Sequence, residues 1–264
     1  MDHLRQVFLK CRKYGISLNP KKPLFGLEEG KLLGHIISKK GIKIDPARIE
    51  AILQIPHHRN VKELQAFLGK INFLRRFISN LAKLIRLLNN MLKKDSIISW
   101  IVEAKQAFEE IKMPLTRTPV LTSPKFDTDF IIFSFASEDT IAVVLLQKDD
   151  QGCEKPIAFF SKALRDAPLK YKIMEKQAFA LVKAIKDFRV YILYSHVIAY
   201  VPNVVVKDIL NQDGIESKRG KWIVAILEYD IEIRPTKLIK GRGLAKLVTK
   251  TNCQALDINE LDNE

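Results

Sequence analysis

Cysteine is scarce in the 264-residue sequence: Cys11, Cys153 and Cys253 are odd in number and far apart, which argues against a disulfide framework or a paired-cysteine zinc site and fits a reducing compartment. A long apolar run is also missing. The longest uncharged stretch, Val190 to Val206, contains Ser195, His196, Pro202 and Asn203 and falls short of the about 20 apolar residues of a membrane helix. The first residues, MDHLRQVFLKCRK, are broken by charge and contain no apolar signal-peptide core. Neither an internal repeat nor a low-complexity tract is present. Acidic charge is thin in one half only: residues 1–115 carry 22 basic and 10 acidic side chains, hence +12, whereas 116–264 carry 22 and 20, hence +2. The expectation is an intracellular protein, cytoplasmic or nuclear, not secreted and without a membrane partner, whose basic partner surface lies in its first half.

What is present is enough apolar material, 47% of residues, to bury sizeable cores. Residues 4–14 read as a helix, and the turn signals Asn19-Pro20 and Pro23 separate it from two apolar runs, 24–27 and 31–38, that suggest a hairpin. Asp45-Pro46 starts a new helix, with proline in the first turn, where its missing N–H costs little. From 61 to 114 the period is helical, with Leu64, Phe67, Leu68 and Ile71 at spacings of three and four. After Pro119 the period changes: 130–137, 140–147 and 156–161 read as a three-stranded antiparallel meander. A long helix over 171–192 follows, then a strand (197–201), a helix (204–210), a helix around Trp222 and a last strand (229–233). This order predicts an α/β domain with a mixed sheet.

Residues 32–46, LLGHIISKKGIKIDP, and 64–78, LQAFLGKINFLRRFI, resemble the segment that follows the reverse transcriptase active site in gypsy-type long-terminal-repeat retrotransposon polyproteins. Residues 120–250 resemble the ribonuclease H domain of that family, and FSFASEDTIAVVLLQ, EKPIAFFSKAL, EKQAFALVKAI and RPTKLIKGRGLAKL resemble its plant members. The resemblance implies a C-terminal palm remnant with a primer-grip-like hairpin over 1–55, a helical thumb over 56–115 and a ribonuclease H-like domain over 116–250, with an acidic tail over 251–264.

Family reverse transcriptases bind two magnesium ions at a Tyr-x-Asp-Asp turn, which this sequence lacks. Its adjacent aspartates, Asp149 and Asp150, sit in a Gly-containing turn and read as a solvated hairpin. The family's ribonuclease H uses four carboxylates to hold two magnesium ions about 4 Å apart. By the resemblance those positions are occupied here by Phe135, Gln177, Pro202 and Lys246, which cannot hold the metals. No catalytic residue, metal site or cofactor is therefore expected. Glu175, about 200° around the helix from Gln177, points away from the sheet, and Glu138, Asp139 and Asp208 read as surface acids. His35, His57, His58 and His196 lack partners at metal spacing, and Gly241-Arg242-Gly243 reads as a turn.

The positive signal is electrostatic. Lys62, Lys70, Arg75, Arg76, Lys83, Arg86, Lys93 and Lys94 face only Glu63 within residues 61–94, a net of +7, which suits phosphate contact. By the resemblance, this segment and the Leu33-Gly34-His35 hairpin grip an RNA–DNA or DNA duplex, and a complete reverse transcriptase is a further expected partner. The expected function is a retrotransposon-derived, catalytically inactive fragment that binds nucleic acid or acts as a connection or tether module. Its 116–250 segment is expected to fold alone, with Phe135 and Gln177 extending its core. Two other readings stay open: a segment of an active polyprotein whose RNA-directed DNA polymerase and ribonuclease H activities lie outside this chain, and a decayed copy without function.

Overall fold

A computed structural model describes residues 2–19, 26–57, 60–92, 100–211 and 218–235. The N-terminal helix α1 (Asp2–Lys13) buries none of its residues. It is followed by three short strands, β1 (Glu29–Leu32), β2 (His35–Ser38) and β3 (Gly41–Ile44), paired antiparallel in chain order. The expected hairpin thus lies wholly within 29–38. Gly26 and Leu27, from the first of the two runs, are in no strand, and Leu24 and Phe25 fall outside the described residues.

Helix α2 (Pro46–Leu53) starts where the sequence signals it: the Asp45 carboxylate accepts the Ala47 N–H at 3.2 Å and Pro46 occupies the first turn. Helix α3 (Val61–Phe73) begins on a reciprocal cap in which Asn60 accepts the Glu63 N–H (3.0 Å) and donates to the Glu63 carboxylate (2.8 Å). Its stripe of Leu64, Phe67, Leu68 and Ile71 is buried. A 3-10 turn (Arg75–Phe77) and helices α4 (Leu81–Leu84), α5 (Arg86–Asn90) and α6 (Val102–Lys112) complete the helical segment, and a second 3-10 turn spans Met113–Arg117. The chain then stitches itself to β3: Ile42 and Leu121 exchange two backbone hydrogen bonds of 2.7 and 2.9 Å. Gly41, at φ +123°, is required beside them, because a Cβ there would lie 2.2 Å from the Leu121 carbonyl oxygen.

Strands β4 (Phe130–Ala136), β5 (Thr140–Lys148) and β6 (Glu154–Ala163) form the expected meander. After α7 (Asp166–Leu169) and α8 (Ile173–Asp187), strand β7 (Val197–Val201) joins β4 in parallel. Helices α10 (Val204–Asn211) and α11 (Lys218–Leu227) lead to β8 (Ile231–Pro235), parallel to β7. The sheet order is β6-β5-β4-β7-β8, a mixed sheet in an α/β fold. The expected long helix over 171–192 is broken. Phe188 leaves helical geometry at φ −87°, ψ +6° and caps α8, and a separate short helix α9 (Arg189–Ile192) follows it. Met174 is half-buried, while Ala178, Leu181 and Ile185 further along α8 are fully buried.

Both faces of this sheet are covered. On one, Phe130, Ile132 and Ala136 of β4 pack in the cluster of Ala178, Leu181 and Ile185 from α8. On the other, Ile131, Val144, Leu146 and Phe159 share a single cluster with Leu64, Phe67 and Ile71 of α3 and Phe108 and Ile111 of α6. The helices of residues 61–115 therefore supply one wall of the sheet's own core. The expectation that the 116–250 segment folds alone conflicts with this packing: removal of the helices would expose four large apolar side chains on one sheet face.

Candidate functional site

Three of the four positions matched to ribonuclease H carboxylates lie within the described residues, and Lys246 lies outside them. Gln177 is 4% exposed on α8. Its amide carbonyl accepts the Ala136 N–H at 2.7 Å and its amide N–H donates to the Ala136 carbonyl at 2.9 Å. The β4–β7 ladder ends at the Phe133–Tyr200 rung, so these two bonds give the end of β4 the partners that a longer β7 would provide. Gln177 is thus a polar clasp in the protein interior, which corrects the expectation that it extends an apolar core.

Phe135 is half-buried. The alternation of β4 sets it on the face of Ile131 and Phe133, opposite Ala136 and Ile132, which face α8. Phe133 on that face stacks on Tyr200 of β7, with centroids 4.8 Å apart and rings inclined by 12°. Pro202 follows directly after the last residue of β7, where its missing N–H removes no ladder bond.

Two of the nearby acids are committed elsewhere. Glu175 accepts the Lys172 N–H at 3.2 Å and so caps α8. Asp139 pairs with Arg86 and accepts from the Ser137 hydroxyl at 3.1 Å. The backbone carbonyl of the exposed Glu138 accepts from the Lys176 ammonium, and Asp208 is exposed on α10. Among the described residues no group of three or more His, Cys, Asp or Glu side chains could hold a metal ion. Asp149 accepts the Gln151 and Cys153 N–H groups (3.0 and 2.8 Å) within the β5–β6 turn. The Cys153 N–H, its leading cause, holds the carboxyl below the usual range, and Asp150 pairs with Lys125 at 2.7 Å.

The hairpin tip joins β1 to β2 through two left-handed residues, Leu33 (φ +49°) and Gly34 (φ +78°). Leu33 is 78% exposed. The Arg48 guanidinium donates to the Leu33 carbonyl at 3.3 Å and fills the space beside Gly34, where a Cβ would lie 2.0 Å from its Nη1. His35 stacks against Phe73 and Phe77, with centroids 5.0 and 5.3 Å away, and its buried Nε2 has no hydrogen-bond partner among the described residues. Burial, then the charges of Arg76 and Arg48, lowers its pKa. His57 packs at a tilt against Trp100 and Phe108, 3.8 Å from Glu109, and His58 lies outside the described residues.

The structure divides the eight basic residues. Lys62 and Lys70 on α3 and Lys83 on α4 are exposed and make no ion pair among the described residues. Lys93 and Lys94 lie outside the described residues. The three arginines are engaged instead by the C-terminal part of the fold: Arg75 donates to the Ser161 carbonyl of β6 at 3.2 Å, Arg76 to the Tyr191 hydroxyl of α9 at 3.3 Å, and Arg86 pairs with Asp139 in the β4–β5 turn. The Ser161 hydroxyl in turn accepts the Ala82 N–H at 3.0 Å. Charge counting had assigned these arginines to phosphate. No sequence signal marks their real partners, a carbonyl, a phenol and one turn carboxylate.

Comparison with known proteins agrees with this architecture. Residues 100–199 match the family described as the RNase H-like domain found in reverse transcriptase. The Tf2-3 and Tf2-4 transposon polyproteins of Schizosaccharomyces pombe are each 31% identical to this chain over 237 residues, 88% of it. The chain spans 18% of their length. The fold is similar to part of the foamy viral protease-reverse transcriptase. Its form bound to double-stranded DNA superposes at a TM-score of 0.72, with 24% identity, over 90% of this chain and 43% of that one. Its complex with an RNA/DNA hybrid gives 0.71, with 23% identity, over 84% and 31%. Sequence and fold together relate the chain to retrotransposon polyproteins with an RNase H-like domain. Among the described residues no helix is long and apolar enough to cross a membrane.

Proposed function

We propose that this chain is a reverse transcriptase and ribonuclease H-like segment of a retrotransposon polyprotein that holds a nucleic-acid duplex without cutting it. Within it, 1–55 would be the palm remnant, 56–115 the thumb and 116–250 a ribonuclease H-like module that serves as connection or tether. The observation that carries the reading is the use of Gln177: a buried amide that donates to one backbone group and accepts from another cannot be replaced by a metal-binding carboxylate without losing a bond. The four stretches quoted above support a gypsy-type element of a plant lineage, although the relatives described here are fungal. An intracellular site of action fits that origin.

Duplex contact falls to Lys62, Lys70 and Lys83, with the Leu33 tip and His35 at the primer-grip-like end. Arg75, Arg76 and Arg86 are withdrawn from the duplex-contact set because Ser161, Tyr191 and Asp139 engage them. Foamy viral relatives in complex with double-stranded DNA and RNA/DNA hybrid support this class of partner. If the three exposed lysines each contact a phosphate, the log–log salt slope of duplex binding is about −3 or steeper. Titration of a labelled hybrid at increasing salt tests this. Lys62→Glu with Lys70→Glu should weaken every duplex sequence alike, and binding indifferent to salt and to these changes would refute it.

A further inference from the structure

Arg75 does more than tie the helical segment to the sheet. It lies in the wall of a groove of about 760 Å³ at that seam, bounded by α4, the outer end of β6 and the side of α8. Five cationic side chains line it: Arg75, Lys162, Arg165, Lys183 and Lys186. Two of them are fixed on aromatic rings, Arg75 at 5.5 Å from the Phe160 centroid and Lys183 at 5.6 Å from that of Phe179. Lys162, Arg165 and Lys186 are exposed and carry no ion pair among the described residues. Asp166 and Asp187 are the opposing acids in the lining, so the groove keeps a net of +3.

The electrostatics record the crowding. Burial and then the like charges of Lys162 and Lys186 lower the pKa of Lys183. Burial raises that of Asp187 despite the opposing pull of Arg75 and Lys162. The excess of cations in the lining is what an anion would relieve. A concave groove with a net positive lining suits the backbone of a single nucleic-acid strand, which such grooves track without reading its sequence.

We propose that the seam groove is a second nucleic-acid site, specific for single strands, on a surface separate from the three exposed lysines assigned to the duplex. It shares its chemical class of partner with the proposed function but rests on a different set of side chains.

Fluorescence anisotropy of the full chain tests it with two probes, a single-stranded oligonucleotide of about 12 nucleotides, within the range of single-strand site sizes, and a blunt hybrid duplex. Lys162→Glu with Lys186→Glu should weaken the single strand by about tenfold or more at low salt and leave the duplex within about twofold. The urea midpoint should be unchanged, since both side chains are exposed. Lys62→Glu with Lys70→Glu should do the reverse. An unchanged single-strand affinity in the groove variant would overturn the proposal, as would an equal loss for both probes, which would make the groove part of the duplex surface. Loss of the duplex arm alone, with the groove arm intact, would instead sink the duplex reading and leave this one standing.

Discussion

The side-chain amide of Gln177 stands in for a strand: it closes two hydrogen bonds on Ala136, three residues past the last rung that β4 shares with β7. A carboxylate there would keep the accepting bond and lose the donating one. It would also place a charge at a site 4% exposed.

Gln177→Glu is therefore expected to destabilise the full chain by about 1–3 kcal/mol at neutral pH. The sign with pH follows from burial, which raises the folded-state pKa of the new carboxyl above its unfolded value. The deficit is absent where both states are protonated, below about pH 4, and grows as pH rises from there to the folded pKa. Urea unfolding of both proteins at several pH values measures it, and a deficit constant with pH would contradict the burial argument.

Arg76 and Tyr191 join elements 115 residues apart in sequence. A double-mutant cycle of Arg76→Ala and Tyr191→Phe should return a coupling energy of about 0.5–1.5 kcal/mol in urea unfolding. A coupling near zero would mean that the hydroxyl does not hold the arginine, and would return Arg76 to the phosphate-binding set.

His35 gives a second pH dependence, of opposite sign. Burial and the charges of Arg76 and Arg48 hold its folded pKa below the ordinary histidine value, so the fold favours the neutral ring. Its contribution is complete above the unfolded pKa of about 6.5 and is lost as pH falls below it. His35→Phe keeps the stacking on Phe73 and Phe77 and should flatten the stability profile between about pH 5 and 7 relative to the parent. An unaltered slope would show that other groups set it.

Residues 116–264 expressed without the preceding helices should bind an apolar dye and unfold without a sharp transition, because Ile131, Val144, Leu146 and Phe159 lose their cover. A sharp two-state transition for that piece would contradict the shared core.

Much of this was legible in the sequence for local reasons. Asp45-Pro46 and Asn60 with Glu63 are caps whose chemistry lies within four residues, and the stripe of α3 has one unbroken period. The meander was legible because a single polar turn parts β5 from β6. The second wall of the sheet was signalled but not used: Ile141 to Leu146 of β5 is apolar at every position, the mark of a strand buried on both faces. The break at Phe188 has no breaker residue to announce it. The clasp of Gln177 and the turn of Arg75 toward Ser161, 86 residues away, depend on long-range packing that no spacing rule encodes. Charge counting could place the basic residues on a segment but could not say which of them tertiary contacts would consume.

The central claim, that a duplex is held and not cut, is tested most directly by the length of the RNA strand. The full chain is mixed with an RNA/DNA hybrid labelled on the RNA, at a concentration where anisotropy shows it bound, with magnesium or manganese, and the RNA is resolved on a denaturing gel over time. The account predicts a bound hybrid whose RNA strand keeps its full length with either metal. Metal-dependent shortening that persists at constant specific activity through successive purification steps would contradict it.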